Sequence, residues 1–361
     1  MRTGFTTSAC AAAAAAAALR SLATGETVKC ITIDLPVMKD IPFEIIRCEH
    51  HEETVTCAVI KDAGDDPDVT NGIEVQSVVK RNNQKEQRIL GGEGVGIVTL
   101  PGLPVNVGEA AINPGPRRLI LKIFRKEMER RQLDKDSGFD ITIVVPQGRE
   151  IAQQTMNAKL GIINGISILG TDGLVRPYSA PAFRASLFYE LRVAREKGCT
   201  TVALTTGKRS NAYLKEALKN ETNLEIIDAG DELGYPMQQA VKMGFTHIIL
   251  GGMIGKLSKV AQGRFQTHVK DGEIDFDFLS RLAQECGAGQ ETCKNIRTAR
   301  TAHQVQNWLK EENIAIEPLI CRYAVEQICI HFNHSVSVTV WLFSLQGETL
   351  GHASQEANHA H

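Results

Sequence analysis

Three stretches of this chain hold residue types suited to an anionic or nucleoside-like ligand. In "TVALTTGKRS", Gly207 permits a tight turn after a β-branched run, and Ser210 can cap the helix that follows, whose dipole favours negative charge. About twenty residues on, Asp228 ends "LEIID", the usual place for a carboxylate that accepts hydrogen bonds from ribose hydroxyls. GKRS is not GxGxxG, so an ordinary strand-to-helix turn explains the same residues. "ILGTDGLVRPYS" joins Gly170, Thr171, Asp172 and Gly173 to Arg176, either as a turn with a cap or as a polar cup at a ligand crevice. "GGMIGKLSKVAQGRFQTHVKDGEID" sets Gly251 and Gly252 at a strand end, then Lys256, His268 and Lys270. A histidine in so polar a stretch can act as a general base or orient a ligand, or it can be structural.

Two further groupings are weaker. Arg117 and Arg118 follow "INPGP" on a basic helix and can clamp carboxylates through bidentate hydrogen bonds, or be solvated. The aspartates of "KDAGDDPDVT" resemble a calcium loop, but Pro67 breaks the spacing and no bidentate glutamate follows, so Asx turns are the better reading.

Composition narrows the classes. With Lys+Arg 40 against Asp+Glu 42, the formal charge is -2. No global field draws the chain to nucleic acid or an anionic membrane, and any anion binding is local. The 9 cysteines are scattered without a CxxC pair, which favours a reducing cytoplasm over a disulfide framework or a zinc site. No GxSxG, HExxH, Walker A or kinase signature is present, nor the acidic-GxGxG motif of the commonest methyltransferase fold.

The positioning elements read as a mixed α/β chain of two domains. Residues 1–138 form an α+β domain, with an antiparallel sheet over 27–62, an irregular Gly/Pro loop region and a helix entered near Pro116. Residues 139–315 form a second α/β domain. There five apolar runs, "DITIVVPQGRE", "GISILGTDG", "TTVALTTGKRS", "LEIIDAGDE" and "THIILGGMIGK", alternate with helical segments, which predicts a mainly parallel sheet covered by helices. Ligand crevices in such sheets lie at the carboxyl ends of the strands, where the glycine loops fall. A strand over 335–346 can rejoin either sheet, and 347–361 is expected to be a flexible tail. The tract "GFTTSACAAAAAAAALRSL" is either an export signal or a retained helix; hydroxyls at the helix start and the absence of a cleavage segment favour the helix.

The motifs "RTGFTTSACAAAA", "VIKDAGDDPDVTNG", "GVGIVTLPGLPVNVGEAAINPGPRRLI", "GISILGTDGLVRPYS" and "THIILGGMIGKLSKVAQGRFQTHVKDGEID" occur in that order. Together they resemble the cobalt-precorrin-5B C(1)-methyltransferase family (CbiD), from residue 1 to about 345. The resemblance implies transfer of a methyl group from S-adenosylmethionine to carbon 1 of a cobalt-bearing macrocycle in cobalamin biosynthesis, in the cytoplasm. It implies a small-molecule corrinoid substrate with several carboxylates, no nucleic acid, no membrane and no protein-bound metal, the cobalt being part of the substrate. A homo-oligomer or transient contact with neighbouring pathway enzymes stays open. In this setting Gly170, Thr171, Asp172, Gly207, Ser210, Asp228, Gly251 and Gly252 are the expected donor contacts. Arg2, Thr6, Thr7, Arg117, Arg118, Lys256 and Lys270 are expected on the substrate, and His268 is the candidate catalytic group. The alternatives are another tetrapyrrole-modifying enzyme on the same scaffold and a non-catalytic corrinoid-binding protein.

Overall fold

A computed structural model describes residues 1–358, which divide into two compact units, one over Met1–Ala180 and one from Pro181 onward. The first is built around its alanine helix. After the short strand β1 (Gly4–Phe5), α1 (Thr7–Thr24) starts where Thr6 Oγ1 accepts the Ala9 N–H at 3.3 Å and stops at Gly25, whose φ of 74° is the left-handed cap. Nine residues of the tract, Ala9 to Ala17, are at most 1% exposed. Methyl side chains let the helix backbone come down onto a sheet, and Ser77 Oγ reaches the Ala11 carbonyl at 2.8 Å. The tract is therefore the centre of a core, as the retained-helix reading expects.

The sheet under α1 takes its strands from a hairpin-rich region. β2 (Cys30–Leu35) and β3 (Met38–Glu44) pair as a separate ribbon. β4 (Arg47–His51), β5 (Thr54–Ile60), β6 (Glu74–Arg81) and β7 (Gln87–Gly91) follow, then the short β8 (Gly94–Val95) and β9 (Ile97–Val98). α2 (Pro114–Arg130), entered two residues before Pro116, ties to α1 through Glu127, 2% exposed, which receives Arg20 Nε at 2.8 Å and Arg131 Nε at 3.0 Å. β10 (Phe139–Val144) then inserts between β6 and β7, giving the order β4-β5-β6-β10-β7. α3 (Gly148–Ala152) and the two-residue strands β11 (Ile162–Ile163), β12 (Gly165–Ile166) and β13 (Leu174–Val175) complete the unit.

Two expectations change here. The boundary falls at 180/181 rather than 138/139, and the first two of the five apolar runs belong to the first unit. The reason lies in their pattern. Along β10, which pairs antiparallel with β6 and parallel with β7, buried Phe139, Ile141 and Ile143 alternate with partly exposed Asp140, Thr142 and Val144, as a strand with one face on the core requires. β12 is only two residues long and pairs with β8, and α3 is too short to be the crossover of a parallel βαβ unit.

The second unit is the parallel one. α4 (Ala180–Glu196) opens it, followed by β14 (Thr201–Thr205), α5 (Lys208–Ala217), β15 (Leu224–Asp228), α6 (Gly234–Lys242), β16 (His247–Gly252) and α7 (Ile254–Val260). A 3-10 turn at Val269–Asp271 leads to α8 (Phe276–Glu285), α9 (Gln290–Arg297), α10 (Ala302–Glu311) and α11 (Glu317–His331). β17 (Ser337–Phe343) and β18 (Thr349–Gln355) close the sheet in the order β15-β14-β16-β17-β18, parallel except for β18. β14 and β16 are buried almost end to end, as strands covered on both faces must be. The unit thus runs past the expected end at 315, and the 335–346 strand joins this sheet. The expected flexible tail is a strand as far as Gln355, because it pairs along β17; residues 359–361 lie outside those described.

Candidate active site

Strand register in the second unit assembles a site from residues distant in sequence. Thr205, the last residue of β14, is the partner of Asp228 on one side and of Gly251 on the other, so three strand ends share one row at the carboxyl edge. The chain leaves β14 toward β15 on one side and later returns as β16 on the other, which makes this row the topological switch point where open α/β sheets hold ligands.

Each expected residue along the row has a visible task. Gly207 has φ 145°, a value that favours glycine, and faces open space. Ser210, 2% exposed, donates to the Gly207 carbonyl at 2.9 Å, which shapes the turn before α5. Gly251 and Gly252 are packing glycines: a Cβ there would stand 2.8 Å from Leu214 Cδ2 and 2.9 Å from Leu257 Cγ. Among the described residues the Asp228 carboxylate accepts only the Gly230 N–H, at 3.3 Å, and so keeps acceptor capacity.

Behind the row runs a polar chain that the sequence reading missed in part. Lys256 Nζ donates to the Thr206 carbonyl at 2.6 Å and pairs with Asp231 Oδ1 at 3.0 Å. Asp231 also accepts Thr267 Oγ1 at 2.9 Å, and Lys259 Nζ donates to the Thr267 carbonyl at 2.8 Å. Burial alone would raise the Asp231 carboxyl, but the hydrogen bonds from Lys256 and Thr267 outweigh it and hold the group below the ordinary carboxylate value. Lys259 is 4% exposed and has a carbonyl rather than a carboxylate as its hydrogen-bond partner. Its signal in the sequence is a lysine set among the apolar and small residues of "LSKVA".

Burial holds the Lys259 ammonium below the ordinary 10.5. Folding therefore disfavours this proton, so stability rises with pH from the folded-state value up to 10.5, where the unfolded lysine also deprotonates. Lys259→Met is expected to remove that rise. Urea midpoints of both proteins between about pH 8 and 10.5 check it, and an identical pH response in the two would contradict it.

His268 stands exposed at the start of the 3-10 turn, its Nδ1 accepting the Lys270 N–H at 3.1 Å. In the neutral ring this leaves Nε2 as the protonated, outward atom, which suits a donor better than a base. Lys270 is exposed beside it.

The remaining expected residues lie in the first unit. Gly170, Thr171 and Asp172 form a turn against the start of α1. A Cβ on Gly170 would meet Thr6 at 2.4 Å, and Asp172 is engaged with the Leu174 N–H at 3.1 Å and with Arg176 at 2.6 Å. Thr6 caps α1, and Thr7 Oγ1 accepts the Leu169 N–H at 2.9 Å. Arg2 forms a bidentate pair with Asp62, and Arg117 donates to the carbonyls of Ile112 and Ile89 at 2.9 and 3.0 Å. These groups brace the first unit, and of its expected substrate arginines only Arg118 is exposed with no hydrogen bond or ion pair among the described residues. Of the three segments expected at one crevice, "GTDG" belongs to the first unit, while "TTGKRS" and "DAGDE" share the switch point of the second.

Comparison with known proteins places the chain. The CbiD model matches residues 1–177 and the model of the CbiD C-terminal domain matches 266–354. A relative from Geobacillus kaustophilus named cobalt-precorrin-5B C(1)-methyltransferase is 40% identical over 98% of this chain and 95% of its own length. A protein of the same name from Leptospira interrogans is 38% identical over 97% of this chain and 95% of its own. The crystal structure of a cobalamin biosynthesis protein (cbiD) from Archaeoglobus fulgidus aligns at 28% identity and a TM-score of 0.39, covering 79% of this chain and 84% of that one. With a family model over its first half and relatives near 40% identity along almost its whole length, the chain belongs to the CbiD family.

Proposed function

We propose that this protein is a cobalt-precorrin-5B C(1)-methyltransferase, working in the cytoplasm, and that the switch point of its second unit holds the methyl donor S-adenosylmethionine. The observation that carries the activity is the shared name of relatives matching the chain nearly end to end. No described residue pattern favours the other tetrapyrrole chemistries or a purely binding role.

The donor supplies a methyl group activated on a sulfonium, together with an adenosine whose ribose offers two hydroxyls. The residues present fit it. Asp228 has a free acceptor atom for those hydroxyls, and the backbone at Gly207 is open to approach. Lys256 and Thr267 keep the Asp231 carboxylate ionised and fixed, while Lys259 anchors Thr267 from behind. What the protein contributes is position: holding an electron-rich ring carbon in line with the methyl group and excluding water, with no acid-base pair demanded.

Asp228→Ala is expected to weaken S-adenosylhomocysteine binding by about 10- to 100-fold, the worth of a hydrogen bond to a charged group. Isothermal titration checks this. Unchanged affinity in a folded variant would remove the donor from this row.

A further inference from the structure

We infer that a cleft between the β2–β3 ribbon and α2, in the first unit, binds a polycarboxylate with an apolar ring body. It rests on the proposed function for the natural ligand, a carboxylated tetrapyrrole, while the cleft itself is described by its own geometry. Its volume is about 390 Å³, between the hairpin residues 34–39 and one face of α2.

The walls combine exposed apolar side chains with free charges. Val37 and Met38 are 55% and 46% exposed, although both sit beside buried Leu35 and Ile123. Large apolar side chains held in water around a concavity mark a contact surface for an apolar body. Two lysines flank them, Lys39 on β3 and Lys122 on α2, and neither side chain has a hydrogen bond or ion pair among the described residues.

The other charges of the cleft cancel. Asp34 is spent on the Asp40 N–H at 2.9 Å and on an ion pair with Lys126, which also pins the hairpin to the helix. Lys39 and Lys122 are therefore the uncompensated charges lining the cleft. Arg118 lies one helical turn before Lys122 on the same exposed stripe, so the positive field continues along α2. Two free ammonium groups either side of an apolar floor suit carboxylates on the rim of a flat ring, and a simple anion would gain nothing from Val37 and Met38.

The test uses the full chain with uroporphyrin, an octacarboxylate tetrapyrrole, read by fluorescence anisotropy, with citrate as a carboxylate lacking the ring. The Lys39→Glu/Lys122→Glu variant is expected to bind uroporphyrin about tenfold or more weakly. Val37→Ser should weaken it about threefold, the worth of part of one apolar contact. S-adenosylhomocysteine binding should be unchanged in both. Should the charge-reversed protein fail to fold, Lys39→Gln/Lys122→Gln gives the same reading with a smaller loss. Unchanged uroporphyrin affinity in a folded variant, or citrate competing as well as uroporphyrin, would overturn the inference. Binding that depends on these lysines in a protein without methyl transfer would uphold the cleft and sink only the proposed activity.

Discussion

Asp231→Ala is expected to lower the stability of the second unit by about 2 kcal/mol and to weaken S-adenosylhomocysteine binding about tenfold or more. The carboxylate is the joint of the polar chain behind the switch point, meeting Lys256 at 3.0 Å and Thr267 at 2.9 Å. Without it Thr267 Oγ1 loses its acceptor, Lys256 retains only the Thr206 carbonyl, and buried Lys259 loses the carboxylate charge that favours its proton. Asp231→Asn separates the contributions, since an amide still accepts from Thr267 but carries no charge. Urea denaturation and titration of both variants decide the matter; a fully stable, fully binding Asp231→Ala protein would show that the chain of contacts is incidental.

The second large effect lies far from this row in sequence. Ala15→Leu is expected to cost about 3 kcal/mol or more, because Ala15 is 0% exposed in the middle of an alanine run that packs α1 against β5, β6 and α2. An isobutyl group there has no space unless the helix lifts from the sheet, which would strain the Ser77–Ala11 bond of 2.8 Å and the Arg20–Glu127 pair of 2.8 Å. Ala15→Ser, adding one atom, should cost far less. Chemical denaturation of the two variants checks the difference, and a Leu variant as stable as wild type would mean that the helix is not close-packed.

Much of this architecture is legible in the residues. The hydroxyls at Thr6 to Ser8 mark the start of α1, and the runs "TVALTT" and "HIILGG" are apolar without alternation, as buried parallel strands must be. Their glycine loops led to Gly207, Asp228 and Gly251, which the register brings into one row. The misplaced boundary came from counting "FDITIV" among those runs, although its alternation marks a one-sided strand. Pairing partners are set by non-local hydrogen bonds, so neither the insertion of β10 between β6 and β7 nor the meeting of Asp231 with Thr267 can be read along the chain. For the same reason Arg117 reads as a carboxylate clamp, whereas its guanidinium is committed to the carbonyls of Ile89 and Ile112.

The central claim joins an activity to a place. It is tested most directly by anaerobic incubation with cobalt-precorrin-5B and S-adenosylmethionine carrying a carbon-13 methyl group, with wild type and Asp228→Ala compared at low and saturating donor. The account predicts label at carbon 1 with wild type, and with Asp228→Ala a loss of turnover at low donor that saturating donor largely restores. No label with wild type would contradict the activity, and full turnover of Asp228→Ala at low donor would contradict the place.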